Sequence, residues 1–285
     1  MEAYYSFLTF ALIGFVAQMI DGGLGMGFGV TSNTILISLG VPPAVSSASV
    51  HTSEIFTSGV SSFFHWKSGN VEKKLFWRLM VTGVVGGAAG AYLLSNVNGD
   101  YIKPFIALYL LFLGFTIARK AFYKIEAEDI QNHFYPIRFL GRNISRLVHF
   151  FKPNGEKINP IFARILGGVG GFLDAIGGGG WGPVVTSTLV FKDHSPRQSI
   201  GSANAAEFFI TLVTSITFLL TLGIMNNWQV IAGLMLGGGI AAPMSAFLCR
   251  RIPPRFLMLI VGILILGLSG WTIASSAMMF SRLFF

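Results

Sequence analysis

Asp21-Gly-Gly-Leu-Gly-Met-Gly-Phe-Gly29 is written a second time in this chain, as Asp174-Ala-Ile-Gly-Gly-Gly-Gly-Trp-Gly182. The two aspartates align at an offset of 153 residues (174 − 21). Without a gap, the same offset pairs Gly25 with Gly178, Gly27 with Gly180, Phe28 with Trp181, His51 with Asn204 and Glu54 with Glu207. An acid leading into glycines inside apolar sequence is costly in a bilayer, where each polar group needs a partner. Its duplication marks it as the candidate working part.

The apolar setting is plain from composition. Of 285 residues, 53% are hydrophobic and 11% charged, against roughly 25% charged in a soluble domain, so the class is a polytopic membrane protein. The single cysteine, Cys249, excludes an internal disulfide framework or a thiolate metal cluster within one chain. The formal charge of +8 comes from basic residues lying mostly between apolar runs. That is a membrane-topology signal and not a nucleic-acid surface. Met1-Glu2 offers no basic leader, so the first apolar run reads as a retained helix.

Tyr4 to Ile20 is marginal for a span of about 20 residues, and Val30 to Leu39 is about half of one. Gly40-Val-Pro-Pro43 ends that element, because paired prolines cannot continue a helix. Two short helices meeting at a break, broken or re-entrant, are therefore expected first. Three crossings follow, at Ala44–Trp66, Phe76–Leu94 and Tyr101–Phe122. The second half repeats the plan: Ile161–Ile176, then glycines, then Val184–Phe191, and crossings at Ser199–Leu222, Trp228–Leu248 and Phe256–Met279. Between the halves, Arg138, Arg142 and Arg146 share one face and Leu140, Ile144, Leu147 and Phe151 another. This suggests an amphipathic helix lying on an anionic lipid surface, or a solvated linker helix. The expected division is a first repeat at 1–123, a cytoplasmic linker at 124–160 and a second repeat at 161–285.

Loop charge predicts orientation. Lys67, Lys73, Lys74 and Arg78 surround the loop after the third helix, and the matching loop of the second half (223–227) has no basic residue. One loop further on the bias reverses: Lys103 stands alone, against Arg250, Arg251 and Arg255. By the positive-inside rule the two repeats face opposite ways, with both termini outside. The expected fold class is thus an all-α polytopic membrane protein of two inverted-topology repeats, an architecture that binds its cargo where the repeats meet near the midplane.

The candidate chemistry sits at the repeated positions. Main-chain N–H groups and half-helix dipoles beside Gly25, Gly27, Gly178, Gly179, Gly180 and Trp181 suit an anion, although close packing of small residues is the alternative. His51 and Glu54 share a helix face, as do Asn204 and Glu207. A membrane carboxyl is protonated, paired or faces a wet cavity, which fits a proton carrier or cation ligand as well as a structural seal. Asp21 and Asp174 could serve ion coupling or cap the helix starts beside them. Ser49 and Ser202 supply hydroxyl donors. No nucleotide loop, esterase elbow or HExxH pattern occurs, and no cofactor or metal is expected.

These residues resemble the TauE/SafE family of sulfite exporters and sulfonate permeases. The resemblance is carried by Gly177-Gly-Gly-Gly-Trp-Gly-Pro183 and Arg197-Gln-Ser-Ile-Gly-Ser-Ala-Asn-Ala-Ala-Glu-Phe208, with Gly22-Gly-Leu-Gly-Met-Gly27 and Val45-Ser-Ser-Ala-Ser-Val-His51 as first-repeat versions. The first repeat departs in having Val30 opposite Pro183. The resemblance implies a permease for small sulfur-containing anions, driven by an ion gradient and not by ATP.

The resulting expectation is a non-enzymatic secondary transporter in the inner (plasma) membrane, crossing it several times. It would export sulfite or an organosulfonate such as sulfoacetate. The anion would be held by the glycine breaks, Ser49, His51, Ser202 and Asn204, and Glu54, Glu207, Asp21 and Asp174 would couple it to protons or another ion. Its partners would be that anion, the coupling ion and lipid, with room for a homodimer and no nucleic acid. A passive anion channel on the same scaffold, or a membrane metalloenzyme using His51, Glu54 and Glu207, are the alternatives.

Overall fold

A computed structural model describes residues 7–24, 27–133, 158–192, 194–223, 228–248 and 254–284. These form helices α1 (Phe7–Leu24), α2 (Phe28–Ser38), α3 (Pro43–Lys67), α4 (Lys73–Asn96) and α5 (Gly99–His133). The second half supplies α6 (Pro160–Gly177), a π-helical turn (Gly182–Thr186) leading into α7 (Ser187–Phe191), then α8 (Pro196–Leu222), α9 (Trp228–Leu248) and α10 (Pro254–Phe284). No strand occurs among the described residues. Helix starts follow local chemistry. Proline opens α3, α6 and α8, where a missing N–H costs nothing. Asn159 caps α6 by accepting the Ile161 N–H at 2.9 Å.

The protein is an all-helical membrane protein. Four described helical stretches are long and apolar enough to cross a bilayer: Lys73–Asn96, Tyr101–Arg119, Pro160–Gly177 and Gln198–Leu222. Large side chains such as Leu8, Phe105 and Leu220 point outward, as a lipid-facing surface requires. Three sequence expectations need adjustment. Ile161–Ile176 was expected to fall short, but capping by Asn159 and Gly178 extends it to 18 residues. α3 has the length of a crossing but is not among the four, because one side of it is a row of serines and threonines around His51 and Glu54. α5 does not stop at Phe122 but runs to His133, into the expected linker. The rest of that linker, including the basic amphipathic stretch, lies outside the described residues, as do Gly25, Arg250 and Arg251.

Helix boundaries recur at the sequence offset: α1 at 7–24 becomes α6 at 160–177. Packing recurs with them. α6 lies parallel to α4, with Gly167 against Leu79, Gly171 against Gly83 and Gly90 against Phe172. α1 lies parallel to α9, with Gly233 against Phe10 and Gly237 against the Ala11 carbonyl. A Cβ on Gly237 would stand 1.8 Å from that carbonyl, so only glycine admits the approach. α3 and α8 cross antiparallel at the centre, joined by Ser62 Oγ–H to the Asn204 carbonyl at 2.8 Å. α5 and α10 form the other antiparallel pair, Gly114 on Ile265 and Gly262 on Ala118.

Candidate functional site

The two glycine breaks meet. A Cβ on Gly179 would lie 2.3–2.5 Å from the backbone of Gly29 and Val30, so the first turn of α2, at the end of the first break, touches the connection between α6 and α7 main chain to main chain. Gly178 (φ 64) and Gly179 (φ 128) occupy left-handed geometry, as does Gly27 (φ 136) in the first break. Asn33, from α2, donates through Nδ2 to the Gly177 carbonyl and accepts from Ser46 Oγ–H, tying the second break to α2 and α3. The Ser47 hydroxyl donates to the Ala175 carbonyl.

Each aspartate accepts the N–H seven residues on. Asp21 Oδ1 accepts from Phe28 at 3.3 Å, and Asp174 Oδ1 accepts from Gly180 at 2.7 Å and Trp181 at 2.9 Å. The Gly179 N–H goes to the Asp174 carbonyl. The capping geometry anticipated for these aspartates is therefore present, and at the second break it occupies the N–H groups that could otherwise meet a ligand. Trp181 is fully buried, its indole N–H given to the Ala203 carbonyl at 3.0 Å.

Beside the meeting point lies a cavity of about 290 Å³. Asp21, Gly27, Glu54, Gly179, Gly180, Asn204 and Glu207, all expected from sequence, line it. Glu54 Oε1 sits so close over Gly29 that a Cβ there would be 2.7 Å away. From the two glutamates the cavity follows one face of α3 (Thr57, Ser58, Ser61, His65) and the facing turns of α8 (Asn204, Ile200). It thus runs toward the C-terminal end of α3 and the basic loop after it. Asn204 Nδ2–H reaches Ser61 Oγ at 3.2 Å across that path.

Other expected residues lie elsewhere. Gly178 packs against Asn33. Ser49 is fully buried and does not line the cavity, its hydroxyl unpartnered among the described residues. Ser202 Oγ accepts the Glu72 N–H at 2.8 Å and so holds the loop between α3 and α4. His51 and Asp174 are buried behind the second break, with Nε2 3.2 Å from Oδ2.

Asn33, Gln18 and a clasp joining Glu72 to His194 were not among the residues expected from sequence. In that clasp His194 Nε2 lies 3.0 Å from Glu72 Oε2, and its Nδ1 lies 2.9 Å from Ser199 Oγ. Asn33 carried a signal, an amide inside an apolar run. Glu72 and His194 sit in loops, where charge is ordinary.

The sequence itself matches known proteins. The sequence model of the Sulfite exporter TauE/SafE family covers residues 10–272. The chain belongs to that family. A curated relative, "Probable membrane transporter protein YtnM" of Bacillus subtilis (strain 168), is 40% identical over 261 residues, spanning 90% of this chain and 78% of the relative. No solved structure matches. Family and relative together indicate a membrane transporter of the TauE/SafE type.

Proposed function

We propose that the protein is a secondary transporter that exports a small sulfur-containing anion, sulfite or an organosulfonate, coupled to protons carried by Glu54 and Glu207. One observation carries the proposal. The two glutamates, equivalent under the 153-residue offset, line the same cavity that the two glycine breaks bound. The proposed architecture is a pair of inverted repeats, 1–123 and 161–285, joined by the 124–160 linker. The antiparallel packing of the equivalent helices, α3 on α8 and α5 on α10, supports it.

In this reading the anion sits between the breaks and the Asn204 and Ser61 side chains. Like charges about 6 Å apart at an effective dielectric of about 20 repel by about 3 kcal/mol. An ionised Glu54 or Glu207 therefore weakens anion binding by roughly a hundredfold, since 1.4 kcal/mol is a factor of ten. A proton on the glutamates admits the anion, and its loss drives the anion out. A divalent anion leaving with a proton on each glutamate carries no net charge, so the transmembrane potential neither helps nor opposes that exit.

The test is flux of labelled sulfite, thiosulfate and sulfoacetate in proteoliposomes under an imposed pH gradient. Glu207→Gln should leave anion binding but remove the pH dependence of flux. Unchanged, still pH-dependent flux would refute the carboxylate role. Counterflow tests the mechanism: failure to accumulate label against its gradient makes the protein a passive channel.

A further inference from the structure

We infer that His51 is a buried cation, an imidazolium locked to the Asp174 carboxylate, and that it positions the second glycine break instead of touching the substrate. A count of protons fixes the charge. His51 Nδ1 lies 2.8 Å from the Ser47 carbonyl oxygen, which can only accept, so Nδ1 carries a proton. The Ser47 hydroxyl is also near, at 3.3 Å, but its one proton is spent on the Ala175 carbonyl, so it too can only accept. On the other side Nε2 faces Asp174 Oδ2 at 3.2 Å, while Oδ1 of the same carboxyl takes the N–H groups of Gly180 and Trp181.

With Nδ1 already protonated, the Nε2–Oδ2 contact needs one more proton. A carboxylate that accepts two backbone N–H bonds is the charged acceptor these bonds favour, so the proton belongs to the ring. The pair is fully enclosed: His51 is 0% exposed and Asp174 2%. His51 comes from α3 and Asp174 from α6, so the bond ties the first half of the chain to the second break.

The offset counterpart of His51 is Asn204, which is neutral and faces Ser61. The positive charge therefore exists on one side of the pseudo-symmetry only. It lies behind a cavity whose described titratable lining is Asp21, Glu54, Glu207 and, toward the α3 end, His65. Its place explains the choice of histidine. The ring bridges a carbonyl and a carboxylate in a space closed to water, which a lysine's flexible ammonium would not fill.

Nitrogen-15 spectra of histidine-labelled protein in lipid nanodiscs test the assignment. The chain has five histidines, and His51 is assigned as the resonance lost in His51→Gln. Should that variant not fold, a protein retaining His51 alone, with the other four changed to Gln, assigns it. Both His51 ring nitrogens are expected to bear protons. One bare nitrogen overturns the proposal.

Flux of radiolabelled sulfite gives the second readout. His51→Gln alone leaves Asp174 charged and unpaired and should lower flux at least tenfold. His51→Gln with Asp174→Asn restores a neutral, hydrogen-bonded pair and should recover most of it. A double variant no better than the single would mean that His51 does not act through Asp174.

Discussion

Gly179→Ala puts the contact between the two breaks on trial. The residue has φ 128, a conformation that costs a non-glycine residue about 1–3 kcal/mol. The added Cβ would stand 2.3 Å from the Gly29 carbonyl carbon, 2.4 Å from Gly29 Cα and 2.5 Å from the Val30 nitrogen. Carbon atoms normally rest about 3.5–4.0 Å apart, so the breaks must separate by about an ångström. The obstacle is backbone on both sides, and no side chain can swing away. Overpacking of this kind adds about 1–3 kcal/mol, for a total of about 4 kcal/mol. At about 2–4 °C per kcal/mol for a chain of this order, the unfolding midpoint in detergent should fall by on the order of 10 °C. Fluorescence of the adjacent, buried Trp181 reports it. Gly239→Ala is the control. Nothing lies within 4 Å of the Cβ it would add, and the midpoint should move by less than about 1 kcal/mol equivalent. If Gly179→Ala unfolds with the wild type and transports normally, the breaks do not meet and the cavity between them is wrong.

Tyr109→Phe should be silent or stabilising by up to about 1–3 kcal/mol, because the Tyr109 hydroxyl is buried against Gly180 without a partner among the described residues; a steep loss of flux would mean that the hydroxyl meets a ligand. Trp181→Phe removes the indole N–H bond to the Ala203 carbonyl and should cost about 1 kcal/mol for the bond, with a further loss for the smaller ring, read in the same melting assay. Glu72→Gln breaks a pair whose carboxylate is 36% exposed, so stability should change by less than about 1 kcal/mol. The clasp joins loops beside the His65 end of the cavity, so a cysteine placed at Ser61 (in a Cys249→Ser background) should label faster in that variant. Equal labelling rates would show that the clasp does not restrict access.

Repetition is why so much was legible in the sequence. The 153-residue offset found the breaks, the aspartates and the two cavity glutamates, because a duplicated acid in apolar sequence stands out wherever it lies. What the offset could not show is direction. Whether Ser202 faces the cavity or a loop depends on which way one helix is rotated, and it turned toward Glu72. His51 likewise looked like a cavity ligand beside Glu54. Three residues on a helix is a 300° turn, near enough to share a face but far enough for one to point at the cavity and the other at Asp174. Asn33 has threonine, Thr186, as its counterpart, so the repeat does not mark it. α5 continued through Glu126, Glu128 and Asp129 because nothing in that stretch breaks a helix; polarity alone ends a membrane span but not the helix that contains it.

The pairing of α1 with α9 and of α6 with α4 means that each half of the sequence lends its hairpin to the other. Cut between the halves, neither fragment would keep the partner surface its own glycines were shaped for, and each would present a groove fitted to the missing one. The units that hold together are thus composites, part first half and part second. Any rocking motion in this protein must move those composites, so a hinge is to be sought in the breaks and the short connections on either side of α2 and α7, and not in the linker that divides the sequence.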